Sequence, residues 1–139
     1  MTKQEVLALA ERVEKSEGSD RELDAEIWAI SERLSGFVID AIPSENCVGM
    51  VTRYFESGTH GTAVSPSYTF SLDAAMSLVP EGHFPRLFCE AAFAIIVRYE
   101  VGDPWVEVCR SGLCLTPALA LTAAALRAIA EGMKNDAAS

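Results

Sequence analysis

The apolar residues near the start of the chain recur at helical spacing. Val6, Leu9, Ala10 and Val13 fall at positions i, i+3, i+4 and i+7, so they share one face of a helix. The Thr-x-x-Glu sequence at residues 2–5 has the form of a capping box, which satisfies backbone N–H groups of a first helical turn. We therefore predict a helix that starts at the N-terminus.

A second helix is predicted directly afterwards. Ser19 and Glu22 form another capping box, the apolar positions then recur at helical spacing through residues 23–34, and Gly36 ends the pattern. Two helices joined by so short a link form an antiparallel hairpin or a sharp elbow, which would occupy residues 1–36.

The rest of the chain mixes strand and helix patterns. Runs rich in β-branched and aromatic residues predict strands at residues 48–55, 86–90, 92–100 and 105–110. Ser71 is a suitable cap for a short helix that Pro80 ends, and Thr116 with Pro117 starts the last helix. The Gly- and Ser-rich residues 56–62 predict a loop.

These elements predict an α+β fold. The order is α-α-β-α-β-β-β-α, with a mostly antiparallel sheet of three to five strands packed against helices. The 139 residues suit a single domain, residues 1–139, with a frayed tail at residues 134–139. We find no internal repeat and no linker to a second domain.

The net charge of the chain narrows the range of functions that we expect for it. The chain carries a net charge of −9, and residues 1–45 hold eleven acidic and five basic side chains. This balance disfavours direct binding to nucleic acid or to an anionic membrane, because both require a basic surface. No apolar run is long enough to span a membrane and no signal-peptide pattern is present. We therefore predict a cytoplasmic location.

Four acidic residues on the second predicted helix allow two interpretations. Asp20, Glu22, Asp24 and Glu26 form either a solvated helix face or a surface that contacts a basic partner protein. Metal binding or acid–base chemistry would require these carboxylates to lie in a cleft with shifted pKa values.

The sequence contains no recognisable catalytic motif. The four cysteines match no zinc-binding spacing and are expected to be buried thiols, and His60 and His83 have no second ligand at a useful spacing. A Gly-x-Ser-x-Gly elbow and a Gly-rich phosphate loop are both missing. We therefore predict no catalytic residue, no metal and no cofactor.

Three arginines on predicted strands form the best candidate for a ligand site. Arg53 with Tyr54, Arg98 and Arg110 could gather on one sheet face, where guanidinium groups beside aromatic rings suit a phosphate or nucleotide. The alternative is that these arginines form ion pairs with Glu100, Glu107 and the acidic helices.

Several short blocks carry a resemblance to a known group of proteins. They are residues 7–14, 20–27, 68–69, 71–75, 79–82 and 116–121, in this order. Together they resemble small proteins encoded by phages and prophages of α-proteobacteria, similar to the phage ABA sandwich domain, over about residues 5–130. The resemblance implies a sheet between helices and a phage accessory gene, but no activity, cofactor or catalytic residue. Residues 46–63 look like an insertion relative to that group.

The expected function is therefore non-enzymatic. The leading hypothesis is a phage or prophage accessory protein that binds a host or defence component through its acidic surface, with a homo-oligomer as a further expectation. The alternative is a module that binds or sequesters a nucleotide-like ligand at the strand arginines.

Overall fold

The computed structural model of the chain describes residues 2–88, 92–100 and 103–133. It contains four helices and six strands within these residues. In chain order they are α1 (Lys3–Glu14), α2 (Arg21–Ser35), β1 (Asp40–Pro43), β2 (Met50–Tyr54), β3 (His60–Val64), α3 (Leu72–Met76), β4 (His83–Phe88), β5 (Phe93–Glu100), β6 (Asp103–Arg110) and α4 (Pro117–Glu131). The α+β class predicted from the sequence is confirmed.

The helix ends follow the capping signals closely. The Thr2–Glu5 box is present at α1, Ser71 caps α3, and Thr116 caps α4. At α2 the prediction was one residue off, because Asp20 rather than Ser19 is the N-cap and accepts hydrogen bonds from the next turn. A carboxylate is favoured at this position because it both accepts these bonds and complements the helix dipole.

The strands form two antiparallel sheets. The first sheet has the order β1-β2-β3 and the second sheet the order β4-β5-β6. The region between α2 and α3 therefore contains a three-stranded meander where the sequence predicted one strand. The added β3 lies where the residue composition predicted a loop, and it pairs with β2 through Val51↔Ala63 and Thr52↔Thr62.

The helices lie between the two sheets. One core cluster joins α1, α2 and α4, a second joins α4 to the second sheet, and a third joins α2 to the first sheet. In α4, residues 118–126 are all buried, because its many alanines allow close packing on every side. The resemblance implied a sheet between helices, whereas here the helical layer is the central one. Each sheet therefore has an inner face on the helices and an outer face that no described helix covers.

Helix α3 has only five residues, of which Ala75 is buried whereas Leu72 and Met76 are exposed. The predicted tail at residues 134–139 lies outside the described residues.

Candidate functional site

The acidic residues predicted to form a partner surface have different structural roles. Asp24 is completely buried, so it contributes nothing to a surface. Its Oδ1 accepts hydrogen bonds from the backbone N–H and the hydroxyl of Thr69, both at 2.9 Å. Its Oδ2 lies 2.8 Å from Nη1 of Arg21. Acidic residues on a helix are usually exposed to solvent. Asp24 is buried instead because Arg21 and the two donor groups of Thr69 compensate its charge.

Arg21 extends this cluster to the backbone. Its guanidinium donates to the carbonyl oxygens of Ser65 at 2.8 Å and Gly49 at 3.3 Å, and to the hydroxyl of Ser67 at 3.0 Å. A guanidinium group has five N–H donors in one plane, so it can bond to several acceptors at once. Arg21 and Asp24 therefore hold α2 against the loop before β2 and against the segment that follows β3, which is a structural role.

The other three acidic residues do not form one continuous surface either. The carboxylate of Asp20 is engaged as the α2 cap, with its Oδ1 accepting from Glu22 N–H at 3.0 Å and Leu23 N–H at 3.1 Å. Glu26 accepts from Arg12 Nη1 at 2.9 Å, and this hydrogen bond raises the pKa of Arg12. Glu22 is exposed. The predicted acidic surface therefore rests on the exposed Glu22, because Asp20 and Glu26 are engaged in contacts within the chain.

The candidate arginines are likewise separated. Arg53 lies on the inner face of the first sheet, with its guanidinium carbon 5.4 Å from the ring centre of Trp28 and 5.3 Å from that of Phe55. Its Nη2 lies 3.4 Å from Glu32. These contacts hold Arg53 as a cation–π and ion-pair element within the fold. The predicted cluster of three strand arginines is not formed.

Arg98 and Arg110 belong to the second sheet. Arg110 donates two hydrogen bonds to Glu107, which lower the pKa of that carboxyl group. Arg98 is the register partner of His83 and lines a cavity of about 520 Å³ between the second sheet and the last turn of α4. The cavity wall also contains Glu107, Glu131 and apolar side chains. Of the ligand residues predicted, Arg98 is the one that lines this cavity.

The outer face of the first sheet carries exposed apolar side chains, and all of its residues are described. Strand alternation places on it Asp40, Ile42, Met50, Thr52, Tyr54, His60, Thr62 and Val64. Val64 is 66% exposed and Ile42 is 47% exposed. The only carboxylate on this face, Asp40, bonds back to the N–H of Ala41 at 2.8 Å. We call this set of eight residues the outer face.

Two cross-strand pairs connect β2 and β3 on the outer face. The rings of Tyr54 and His60 stack with their centres 5.8 Å apart. The hydroxyls of Thr52 and Thr62 lie 3.1 Å apart and form a hydrogen bond. Such cross-strand pairs stabilise the sheet. Tyr54 is thus at the surface, although on the opposite sheet face from Arg53.

Sequence reasoning missed this face for a specific reason. Strand β3 contains Gly61 and follows Gly58, so its composition resembles a loop. A strand was predicted at residues 48–55, but without its partner strand this prediction did not identify an exposed face. The signal that could have found it is the run of small and β-branched residues at positions 61–64, following a turn.

The reactive side chains are dispersed. Cys47 is exposed, contrary to the expectation of burial, because it lies in the loop between β1 and β2. Burial raises the pKa of Cys109 and of Cys114 to about 11 each, which makes both thiols unreactive at neutral pH. Cys89 lies outside the described residues. Over residues 2–88, 92–100 and 103–133, no three His, Cys, Asp or Glu side chains are grouped to hold a metal ion.

Comparison with known proteins does not assign this chain to a family. No protein-family model matches the chain, and neither a curated protein nor a solved structure is detectably similar to it. Within the described part of the chain, no helix combines the length and apolar character that a membrane crossing requires.

Proposed function

We propose that this protein acts by binding another protein through the outer face, and that it is not an enzyme. The observation that carries the proposal is the exposure of Ile42 and Val64 on one sheet face that also carries the Tyr54–His60 stack. Exposed apolar patches bordered by polar groups are typical of protein interfaces. Tyrosine is also among the residues that contribute most to binding energy in such interfaces.

The partner class we propose is a host or defence component in the cytoplasm of a bacterial host. Support for this context comes from the resemblance of residues 5–130 to phage and prophage proteins. The net charge of −9 supports a protein partner over nucleic acid or an anionic membrane.

The acidic helices take a secondary part in this proposal. Because Asp24 is buried and Glu26 is paired with Arg12, direct contact through the acidic residues would rely on Glu22. The net negative charge instead speeds the approach of a basic partner, since electrostatic steering acts mainly on association rates. The apolar outer face then supplies most of the binding energy.

A pair of matched substitutions tests the proposal. We expect Ile42→Ser with Val64→Ser to abolish capture of a specific partner from host cells, and Phe70→Ser to leave capture unchanged. Phe70 is 74% exposed but lies outside the first sheet, so it controls for the general loss of surface hydrophobicity. Equal capture by the double variant and the wild type would contradict the proposal, as would failure of the wild type to capture any specific partner.

A second candidate function is supported by the cavity beside Arg98. The guanidinium of Arg98 and the ring of His83 are cross-strand neighbours in a concave, partly apolar site, where they offer donors to a small anionic ligand and Glu107 and Glu131 oppose its charge. A panel of nucleotides should then raise the melting temperature of the wild type and leave that of Arg98→Ala unchanged. The absence of any shift at millimolar ligand would exclude this function.

A further inference from the structure

The two sheets present four edge strands, and three of them contain residues that block further pairing. Strand β1 contains Pro43, β4 contains Pro85 and β6 contains Pro104, and each of these strands also carries charged residues. Proline and charge on an edge strand are the usual protections against unwanted association. Strand β3, with the sequence His-Gly-Thr-Ala-Val, contains neither a proline nor a formally charged residue.

The edge of β3 that faces away from β2 is unpaired among the described residues. The N–H of Phe55 donates to Thr59 and the N–H of Ser65 donates to Gly49, each at 2.9 Å. Because bonding alternates along an antiparallel ladder, Gly61 and Ala63 direct their backbone groups toward β2. The N–H and C=O groups of residues 60, 62 and 64 therefore point outward.

We propose that a second copy of this chain pairs with β3 along this edge, in antiparallel orientation about a twofold axis at Thr62. The strand is self-complementary in this register. Thr62 meets its own copy and His60 meets Val64, so residues 60, 62 and 64 all form hydrogen-bonded pairs, with about six bonds in total.

The side chains fit the same register. Within one chain the Thr52 and Thr62 hydroxyls are 3.1 Å apart, and the twofold axis extends this contact into a row of four threonines across both copies. Threonine pairs opposite each other stabilise neighbouring strands. In the dimer, His60 of each copy lies opposite Val64 of the other copy, so no like charges meet.

Charge favours this edge as the place where two copies meet. Each copy carries a net charge of −9, so most orientations bring acidic surfaces together. Strand β3 offers five consecutive residues without a formal charge. Helix α2 packs against β1 and β2, so pairing along β3 keeps its acidic residues away from the contact.

The dimer would join the two first sheets into one sheet of six strands. The outer faces of the two copies would then form one continuous surface related by the twofold axis. The dimer relies chiefly on the backbone hydrogen bonds of the β3 edge and partner binding on the side chains of the outer face, with His60, Thr62 and Val64 contributing to both. Thr62→Pro, which removes a backbone donor, therefore tests the dimer separately from partner binding.

Amide hydrogen exchange of the wild type tests the pairing directly. We expect the amides of Gly61 and Ala63 to be protected at every protein concentration, since they bond to β2. The amides of His60, Thr62 and Val64 should gain protection only as the concentration rises. Fast exchange of these three amides at all concentrations would overturn the proposal.

The mass in solution provides a second test. The wild type should reach twice the 15.0 kDa of one chain in light scattering. Thr62→Pro removes an N–H that points away from β2, so it keeps the fold and should weaken dimerisation by about tenfold or more through the loss of the central hydrogen-bonded pair. Thr62→Val keeps that N–H and should remain dimeric.

Three outcomes would contradict the proposed pairing. They are a wild type that stays monomeric up to its solubility limit, a dimer that Thr62→Pro leaves intact, and a dimer that both variants disrupt equally. The second of these would point to a contact through sheet faces. Circular dichroism of each variant identifies a loss of fold.

Discussion

Thr69 donates both its backbone N–H and its hydroxyl to the same carboxylate oxygen of Asp24, at 2.9 Å each. The Thr69 hydroxyl also accepts from the N–H of Asp20 at 2.8 Å. All of Asp24 and nearly all of Thr69 are shielded from water. This arrangement connects the first turn of α2 to the segment that leads into α3, with Arg21 supplying the balancing charge.

Replacing Asp24 with alanine should strongly destabilise the protein. The substitution leaves the N–H and hydroxyl of Thr69 without their acceptor and removes the charge that faces Arg21. Loss of one partner from a buried pair costs about 3–5 kcal/mol. Denaturant titration of Asp24→Ala should therefore show a decrease of about 3 kcal/mol in the free energy of unfolding.

Glu22→Ala is the matched control for this measurement. Glu22 lies on the same helical turn and is exposed, so its removal should change the free energy of unfolding by no more than about 0.5 kcal/mol. Similar effects of the two substitutions would show that Asp24 is not a structural centre.

Much of the fold follows from local patterns in the sequence. The helical spacing of Val6, Leu9 and Val13 and the capping residues Thr2 and Thr116 determine helices whose ends the structure reproduces. The run of β-branched and aromatic residues at positions 92–100 likewise predicted the strand that the structure contains as β5. These features depend on residues close together in the chain, so a single sequence is enough to recognise them.

Features that depend on distant residues could not be predicted in this way. The burial of Asp24 requires Thr69, which lies 45 positions away. Strand β3 becomes a strand by pairing with β2, against the tendency of its own composition. The separation of Arg53 from Arg98 and Arg110 follows from the division of the strands between two sheets, which alternation within a strand cannot reveal.

Arg53 should tolerate lysine poorly. Its guanidinium plane lies near Trp28 and Phe55, and its Nε has no hydrogen-bond partner among the described residues, so stacking is a main source of its stabilisation. We expect Arg53→Lys to lower the free energy of unfolding by about 1 kcal/mol. Arg33→Lys, at an exposed position of α2, should stay within about 0.5 kcal/mol of the wild type. Equal losses would argue against stacking.

The buried thiols predict that the stability of the fold falls at alkaline pH. Burial raises the pKa of Cys109 and Cys114 to about 11 in the folded state, whereas unfolded thiols titrate near about 8.5. The folded state therefore holds these protons more tightly. The resulting stabilisation is complete below about pH 8.5 and is lost as the pH rises toward about 11. Burial also raises the pKa of Tyr68, which acts in the same direction. Unfolding titrations across this range should show falling stability.

Alkylation checks the same assignment residue by residue. At about pH 8, near the ordinary thiol pKa, iodoacetamide should modify the exposed Cys47 first and leave Cys109 and Cys114 largely unmodified, as measured by peptide mass spectrometry. Denatured protein serves as the control, because there all thiols are accessible. Equal rates at Cys47 and Cys109 in the folded protein would contradict the burial.

Salt should strengthen the dimer. Two copies with a net charge of −9 repel each other, and the screening length shortens from about 30 Å at 0.01 M to about 8 Å at 0.15 M ionic strength. Sedimentation equilibrium should show a lower dimer dissociation constant at the higher ionic strength. A dimer that salt weakens would instead indicate a contact made through opposite charges.

The most direct test of the binding function compares two crosslinking positions in living cells. A photoreactive residue is placed at Val64 on the outer face or at Glu22 on the exposed side of α2, and partner adducts are identified by mass spectrometry. We expect one recurrent adduct with a protein other than this chain from Val64, and none or much less from Glu22. Adducts from Glu22 alone, or none from Val64, would contradict it.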